Sequence, residues 1–160
     1  MSKSEILEKM PRYKSFTYRT SLDDVRGRSA MLHSGNKPSL DVSAPLEFKG
    51  DPGLWSPEDF FVASIEVCLM LTFVGIAEKN GVKFVSYSST AEGLLEWRDD
   101  SYRFTRVVVR PSIVIDDPDT RSDVMRTLQR AHATCLIARS IRTFVEVEPS
   151  VTAVSAHMEV

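Results

Sequence analysis

The chain has 160 residues, of which 42% are hydrophobic and 26% are charged, and its net charge is −2. This length suits one domain with a single substantial core, and the composition argues against a disordered chain. No basic excess points to nucleic acid, and the first residues contain no apolar segment typical of a secretory signal. We therefore expect one cytoplasmic domain over residues 1–160, frayed at 1–12, with no nucleic-acid or membrane partner.

The first third of the chain has the pattern of short strands joined by turns. Aromatic and β-branched residues favour strands, whereas clusters of Gly, Asp, Asn and Pro favour turns. The predicted strands are Tyr13–Thr20, Arg28–Ser34 and Leu40–Val42; the predicted turns cover residues 23–27 and 35–38, and a loop covers residues 45–53.

Residues 56–81 are predicted to form one long helix. Ser56 is a suitable N-cap, Pro57 suits the first helical position, and Asp59 completes an approximate capping box. Glu58 places a second negative charge near the positive end of the helix dipole. Gly81 supplies a left-handed stop.

The predicted helix has apolar residues on every side, which is typical of a buried helix or a membrane span. Its apolar run, residues 60–77, has the minimum length for a span. The run contains Glu66, Ser64 and Thr72, and it is capped like the helix of a soluble protein. We therefore expect a long buried central helix.

After Gly81 the hydrophobic period changes from helical to alternating. Strands are predicted at Phe84–Trp97 and Tyr102–Ile115, joined by a turn at residues 98–101, and Pro111 suggests a bulge or an edge. A second helix is expected at Thr120–Ala133, and Thr134 can cap a third that begins at Cys135. The last strand is predicted at Phe144–Val151, and the tail to Val160 is a candidate for another. This order favours an α+β fold with antiparallel sheets.

The two cysteines differ in their local surroundings. An apolar position in the middle of a helix should raise the pKa of Cys68 and leave it inert, as a small apolar filler. Cys135 follows a plausible helix cap, where unpaired N–H groups favour a thiolate. Local chemistry alone therefore makes Cys135 the more acidic thiol, although a buried structural role is open for both.

The segment PLEFKGDPGLWSPEDFFVASIEVCLMLTF, together with the later AHATC, resembles the OsmC/Ohr family (osmotically inducible protein C and organic hydroperoxide resistance protein). The shared pattern is Pro57-Glu58, a cysteine ten residues later at Cys68, and Cys135 after Ala131-His132. The likeness covers roughly residues 20–150 and is closer to the OsmC-like branch than to Ohr. It implies a single OsmC-like domain that forms a two-fold homodimer.

The resemblance also implies a thiol peroxidase that takes part in the oxidative stress response. Cys68 would attack a small organic hydroperoxide and become a sulfenic acid, and Cys135 would resolve it as a disulfide that a dithiol reduces. Glu58 matches the family's glutamate. Arg26 is our candidate for its arginine and Arg28 the reserve, because Asp24-Val25-Arg26-Gly27-Arg28 replaces the Ohr pattern Gly-Arg-Asp-Gly-Arg.

The spacing of Glu58 and Cys68 adds a geometric constraint. Ten residues of straight helix span about 15 Å, so the two side chains cannot meet within one helix. Either the helix begins later than Ser56, or the glutamate comes from another subunit. Two such helices packed antiparallel about a two-fold axis would bring Glu58 of one near Cys68 of the other.

Two rival interpretations remain open from the sequence. One is a non-catalytic module that binds an apolar ligand, and the other is a thiol redox sensor that oxidises without turnover. Glu66 is expected to be a supporting or surface charge. His33, His132 and His157 lack a metal-ligand spacing, and no cofactor motif is present, so neither a metal nor a cofactor is expected.

Overall fold

The computed structural model describes residues 14–154. The chain divides into two compact units, one ending at Trp55 and the other beginning at Ser56. The expectation of a single domain stays a prediction. The predictions for residues 1–12, the start of the first strand at Tyr13, and the tail beyond Val154 lie outside the described residues.

The N-terminal unit contains a three-stranded antiparallel sheet in the order β1-β2-β3. Its strands are β1 (Ser21–Arg26), β2 (Ser29–His33) and β3 (Leu40–Ser43), followed by a 3-10 turn at Leu46–Phe48. The strand predicted at Tyr13–Thr20 is wrong over its described part, because residues 14–20 have no regular structure. The predicted turn at residues 23–27 is mostly strand. The reversal comes later, at Gly27, whose φ of 60° suits glycine.

The long helix predicted at residues 56–81 is confirmed as α1 (Pro57–Asn80). The Ser56 hydroxyl accepts from the Asp59 N–H at 3.1 Å, and the Asp59 carboxylate accepts from the Ser56 N–H at 2.8 Å. These reciprocal bonds form the expected capping box. Gly81 ends the helix with a φ of 68°.

Within its own unit α1 is fully buried on one side, so the expectation of a long buried central helix stays a prediction for its other sides. Only one stripe is fully buried, formed by Ile65, Leu69, Phe73 and Ala77. The opposite stripe leaves Val67 48% and Leu71 60% exposed. By length and composition alone, α1 is the one helix among the described residues that could cross a membrane. Of its most apolar 18-residue segment, 22% is buried in the protein. Its caps and its core stripe are those of a helix packed on a sheet.

The sheet of the C-terminal unit is built on a long antiparallel hairpin. Its strands are β4 (Ser86–Arg98) and β5 (Ser101–Ile115), as predicted to within two residues. The turn between them uses Asp99 and Asp100 at φ values of 48° and 63°. Aspartate tolerates this left-handed conformation better than most residues do.

The last two described strands correct the expectation of purely antiparallel sheets. The strand predicted at Phe144–Val151 is two strands, β6 (Phe144–Val147) and β7 (Ser150–Ala153). Both pair with β5 in parallel. The helices between β5 and β6 provide the crossover that a parallel pair requires.

Pro111 lies inside the central strand β5, opposite Ser89, and not at an edge or bulge as predicted. The carbonyl groups of Val109 and Ile115 accept bonds from residues 148 and 154, on the side of β6 and β7. The other odd-numbered residues of this stretch, including Pro111, therefore direct their main-chain N–H and C=O positions to the same side. Pro111 falls between the segments that pair with β6 and β7, where its missing N–H interrupts no ladder.

Two further helices complete the unit: α2 (Arg121–Thr134) and the single-turn α3 (Leu136–Arg139). Helix α2 packs Val124, Leu128 and Ala131 into the core. The core also contains Val107, Val109, Ile113 and Ile115 of β5, which are fully buried. Helices α1, α2 and α3 pack on one another, which brings the two cysteines together.

Candidate active site

Cys68 and Cys135 meet where the middle of α1 packs against the junction of α2 and α3. Both are free thiols. Cys68 is half-buried, and Cys135 is 1% exposed. The two side chains share a hydrogen bond. The structure therefore brings together the two cysteines that the family resemblance implies to be a reactive pair.

The start of α3 supplies main-chain donors to this pair. Cys135 is the N-cap of α3, with φ −57° and ψ 116°, and the predicted capping bond from Thr134 is not formed. The Thr134 hydroxyl bonds instead to the carbonyl of Arg130, at 2.8 Å. The first N–H groups of any helix have no acceptor within it. Here those of Leu136 and Ile137 are directed at the sulfur of Cys68.

Four donors converge on the sulfur of Cys68: the N–H groups of Ile137 and Leu136, the thiol of Cys135 and the hydroxyl of Thr72. Burial is the largest single influence on the pKa of Cys68 and raises it, but the four hydrogen bonds together outweigh burial and lower the pKa below its ordinary value. The expectation of a raised pKa for Cys68 is therefore wrong, whereas its reactivity stays a prediction.

Cys135 has the opposite shift. Burial raises the pKa of the Cys135 thiol most, and the hydrogen bond to Cys68 and the negative charge there raise it further, against the lowering effect of the Ala138 and Ile137 N–H groups. The expectation that Cys135 is the more acidic thiol is therefore also wrong. Cys135 is therefore the less acidic thiol of the pair, and it donates the hydrogen bond to the sulfur of Cys68.

Glu58 lies in the first turn of α1, on the same continuous helix as Cys68. Because the helix begins at Pro57, the ten-residue separation corresponds to about 15 Å along the axis. A late start of the helix is thereby excluded. The Glu58 Oε2 atom is buried and has no hydrogen-bond partner among residues 14–154. Such an atom needs a donor, since a buried unpaired carboxylate oxygen is costly.

The two candidate arginines lie in the N-terminal unit, at the β1–β2 turn. Arg26, at the end of β1, has a highly exposed side chain that pairs with Asp24. Arg28 donates to the carbonyl of Phe48 at 2.8 Å. Arg28 therefore holds the loop after β3 in place, whereas the partner of Arg26 within residues 14–154 lies on its own strand. Their roles toward Cys68 stay predictions.

The remaining polar candidates have local partners. Glu66 accepts from the Ser89 hydroxyl at 2.6 Å, which ties α1 to β4. His33 bridges Ser39 and Asp23 across the N-terminal sheet, at 2.7 and 2.9 Å. His132 is half-buried on α2, and His157 is outside the described residues. Within residues 14–154, no three His, Cys, Asp or Glu side chains are grouped to hold a metal ion.

Sequence reasoning missed the donors to Cys68 for two different reasons. Thr72 follows Cys68 by four residues, and this helical spacing could have revealed it. The N–H groups of Leu136 and Ile137 belong to a helix start that the sequence did indicate. Which of the two thiols they serve depends on how α1 packs on α3, and no local pattern carries that information.

The fold and the site define a class: an α+β thiol protein in which a long helix brings a half-buried free cysteine against a second, buried one. Residues 50–150 match the model of a family described as OsmC-like protein. The chain belongs to this family.

Similar proteins agree with this assignment. A solved OsmC-like protein of unknown function from Vibrio cholerae has 25% identity and a TM-score of 0.76, over 84% of this chain and 99% of that one. An organic hydroperoxide resistance protein OsmC from Legionella pneumophila has 21% identity and a TM-score of 0.69, over 88% and 99%. An uncharacterized protein of Bacillus subtilis, YmaD, is 22% identical over 73% of this chain and 79% of its own.

Proposed function

We propose that this protein is a thiol peroxidase that reduces organic hydroperoxides to alcohols. The Cys68 thiolate attacks the O–O bond, which leaves Cys68 as a sulfenic acid and releases an alkoxide that takes up a proton to become the alcohol. The Cys135 thiol then attacks the sulfenic sulfur, and a Cys68–Cys135 disulfide and water form. A dithiol reduces this disulfide and is itself oxidised.

The observation that carries the proposal is the contact of two free thiols whose pKa values are shifted in opposite directions. An ordinary cysteine, with a pKa of about 8.5, is only about 3% thiolate at pH 7. Four hydrogen bonds lower the pKa of Cys68, so that a larger share is nucleophilic. The pKa of Cys135 is raised, so this thiol stays protonated until the first step is complete. Nucleophile and resolving thiol are thus distinguished before substrate arrives.

The proposal assigns Arg26 and Glu58 to support the nucleophile. Arg26 would stabilise the thiolate and hydrogen-bond the departing alkoxide, and Glu58 would orient the guanidinium. The buried Oε2 atom of Glu58, unpaired within residues 14–154, supports this assignment because an arginine would satisfy it.

We also propose that the protein acts as a two-fold homodimer with a site at each end of the interface. Support comes from the exposed apolar stripe of α1, which contains Val67 and Leu71. Since Glu58 cannot reach Cys68 along its own helix, an antiparallel copy of α1 offers a route by which it could. We place this chemistry in the cytoplasm, where dithiols keep such cysteines reduced.

One experiment tests the proposed function. Fully reduced protein is treated with one equivalent of cumene hydroperoxide, thiols are titrated, and the products are mapped by mass spectrometry. We expect loss of both thiols and a Cys68–Cys135 link within minutes. The Cys135→Ser variant should stop at the Cys68 sulfenic acid, trapped with dimedone, and Cys68→Ser should not react.

Other outcomes would point elsewhere. If the wild-type thiols survive, the peroxidase proposal fails and a non-catalytic binding module is favoured. If the disulfide forms but dithiothreitol and dihydrolipoamide both fail to restore the thiols, the protein is a redox sensor without turnover.

A further inference from the structure

Thr72 lies one helical turn after Cys68 on α1 and is half-buried. Its hydroxyl is 2.7 Å from the main-chain carbonyl oxygen of Cys68. The same hydroxyl is within hydrogen-bond reach of the Cys68 sulfur. One O–H hydrogen therefore faces two acceptors that belong to the same residue.

The Cys68 carbonyl oxygen and the Cys68 sulfur differ in how much they need the hydrogen of the Thr72 hydroxyl. The Cys68 carbonyl also accepts the N–H of Thr72 in the ordinary pattern of the helix, so it stays paired if the hydroxyl turns away. The sulfur becomes a much better acceptor when it ionises, because hydrogen bonds to a charged group are stronger than neutral ones. A neutral thiol or a disulfide holds the hydrogen only weakly.

We propose that Thr72 is a positioning residue whose hydroxyl hydrogen moves from the Cys68 carbonyl to the Cys68 sulfur when that thiol ionises. The hydroxyl then stabilises the reactive form of Cys68 selectively, and it returns to the carbonyl once the sulfur is oxidised. This proposal rests on the proposed function only in taking the Cys68 thiolate as the reactive species. The helical backbone suits the task, since a threonine side chain in a helix commonly directs its hydroxyl at the carbonyl four residues earlier.

The test compares Thr72→Val, which keeps the shape but removes the donor, with Thr72→Ser, which keeps the donor. Thr134→Val is the matched control, because the Thr134 hydroxyl makes the same kind of bond, to the Arg130 carbonyl, on an exposed side of α2. The first readout is the rate at which iodoacetamide alkylates Cys68, measured by peptide mass spectrometry from pH 5 to pH 10. The second is the rate of sulfenic acid formation with cumene hydroperoxide.

We expect Thr72→Val to slow the alkylation of Cys68 about tenfold at pH 7, the effect of losing one hydrogen bond to a charged group. The rates of Thr72→Val and wild type should converge at the alkaline end of the profile, where both proteins hold Cys68 as thiolate. Thr72→Ser should recover most of the lost rate, and Thr134→Val should match wild type throughout.

Two results would overturn this role: an unchanged pH profile in Thr72→Val, or an equal loss of rate at every pH, which would indicate packing alone. The alkylation assay needs no hydroperoxide. If wild-type Cys68 alkylates as expected but does not react with cumene hydroperoxide, the proposed function fails while the role of Thr72 stands.

Discussion

The thiol of Cys135 donates a hydrogen bond to the sulfur of Cys68, and the pKa values of the two cysteines shift in opposite directions. Burial is the main cause of the raised pKa of Cys135, and the Ile137 N–H group and this bond lower the pKa of Cys68 against burial. The donor is 1% exposed and the acceptor is half-buried. The more acidic sulfur thus lies at the more accessible position, and the less acidic one lies behind it. The outer cysteine can meet a reagent first, and the inner one can follow.

The first prediction concerns the order in which the two thiols react with iodoacetamide. Because the pKa of Cys68 is lowered, a larger fraction of this thiol is ionised at pH 7 than of an ordinary cysteine, and that fraction decreases as the pH falls. Because the pKa of Cys135 is raised, this thiol ionises only in alkaline solution. We expect at least tenfold selective alkylation of Cys68 at pH 7, measured by peptide mass spectrometry.

Cys135→Ala provides the control for that selectivity. Removing the Cys135 thiol deletes one donor to Cys68 and should shift the pH profile of Cys68 alkylation to higher pH. Equal labelling of both cysteines in the native wild-type protein would contradict the assigned ionisation.

Much of the fold could be predicted because its signals are local. Ser56 and Asp59 determine the start of α1 by themselves, and the Asp99-Asp100 turn determines the β4–β5 hairpin. The parallel pairing of β6 and β7 could not be predicted in this way, because it depends on how α2 and α3 return the chain to β5. The ionisation of Cys68 is non-local too, since two of its donors, at Leu136 and Ile137, lie far along the chain. A local interpretation therefore ranked the two thiols in the wrong order.

The second prediction separates the two candidate arginines. Arg26→Gln should lower kcat/KM for cumene hydroperoxide by about tenfold to a hundredfold, because a charge-assisted donor to thiolate and alkoxide is lost. Its melting temperature should hardly change, since the exposed pair with Asp24 contributes little to stability.

Arg28→Gln is the matched comparison and should behave in the reverse manner. The loss of its bond to the Phe48 carbonyl should destabilise the N-terminal unit by about 1 kcal/mol. At a temperature where the variant is fully folded, its kcat/KM should fall less than that of Arg26→Gln. A large loss of activity in Arg28→Gln alone would transfer the catalytic assignment to Arg28.

The third prediction concerns the exposed apolar stripe of α1. Leu71 is 60% exposed and lies one turn from Val67. If a copy of α1 covers this stripe, Leu71→Glu places a charge in an apolar interface and should convert the dimer to a monomer at micromolar concentration. Size-exclusion chromatography with light scattering measures this change directly.

Val85→Glu is the control for Leu71→Glu, because Val85 is similarly exposed, at 56%, but lies outside α1. It should remain dimeric. A monomeric wild-type protein would contradict the dimer. It would also leave Glu58 without the route to Cys68 that an antiparallel copy provides.

The fourth prediction tests the packing of α1 on the hairpin, which positions Cys68. A Cβ atom built on Gly93 of β4 would lie 2.6 Å from Cγ2 of Val62 and 2.8 Å from Cε1 of Phe104. Alanine normally improves on glycine within a strand. Here the added methyl group must displace a helix side chain and a ring, so Gly93→Ala should lower the free energy of unfolding by about 1–3 kcal/mol, measured by urea denaturation.

Val62→Ala provides the complementary change, since it removes the nearer of the two contacts. The Gly93→Ala/Val62→Ala double variant should be less destabilised than the sum of the single variants, because residues in contact do not contribute additively. Strictly additive effects would mean that α1 does not approach β4 closely at Gly93. The register that places Cys68 over the start of α3 would then need a different explanation.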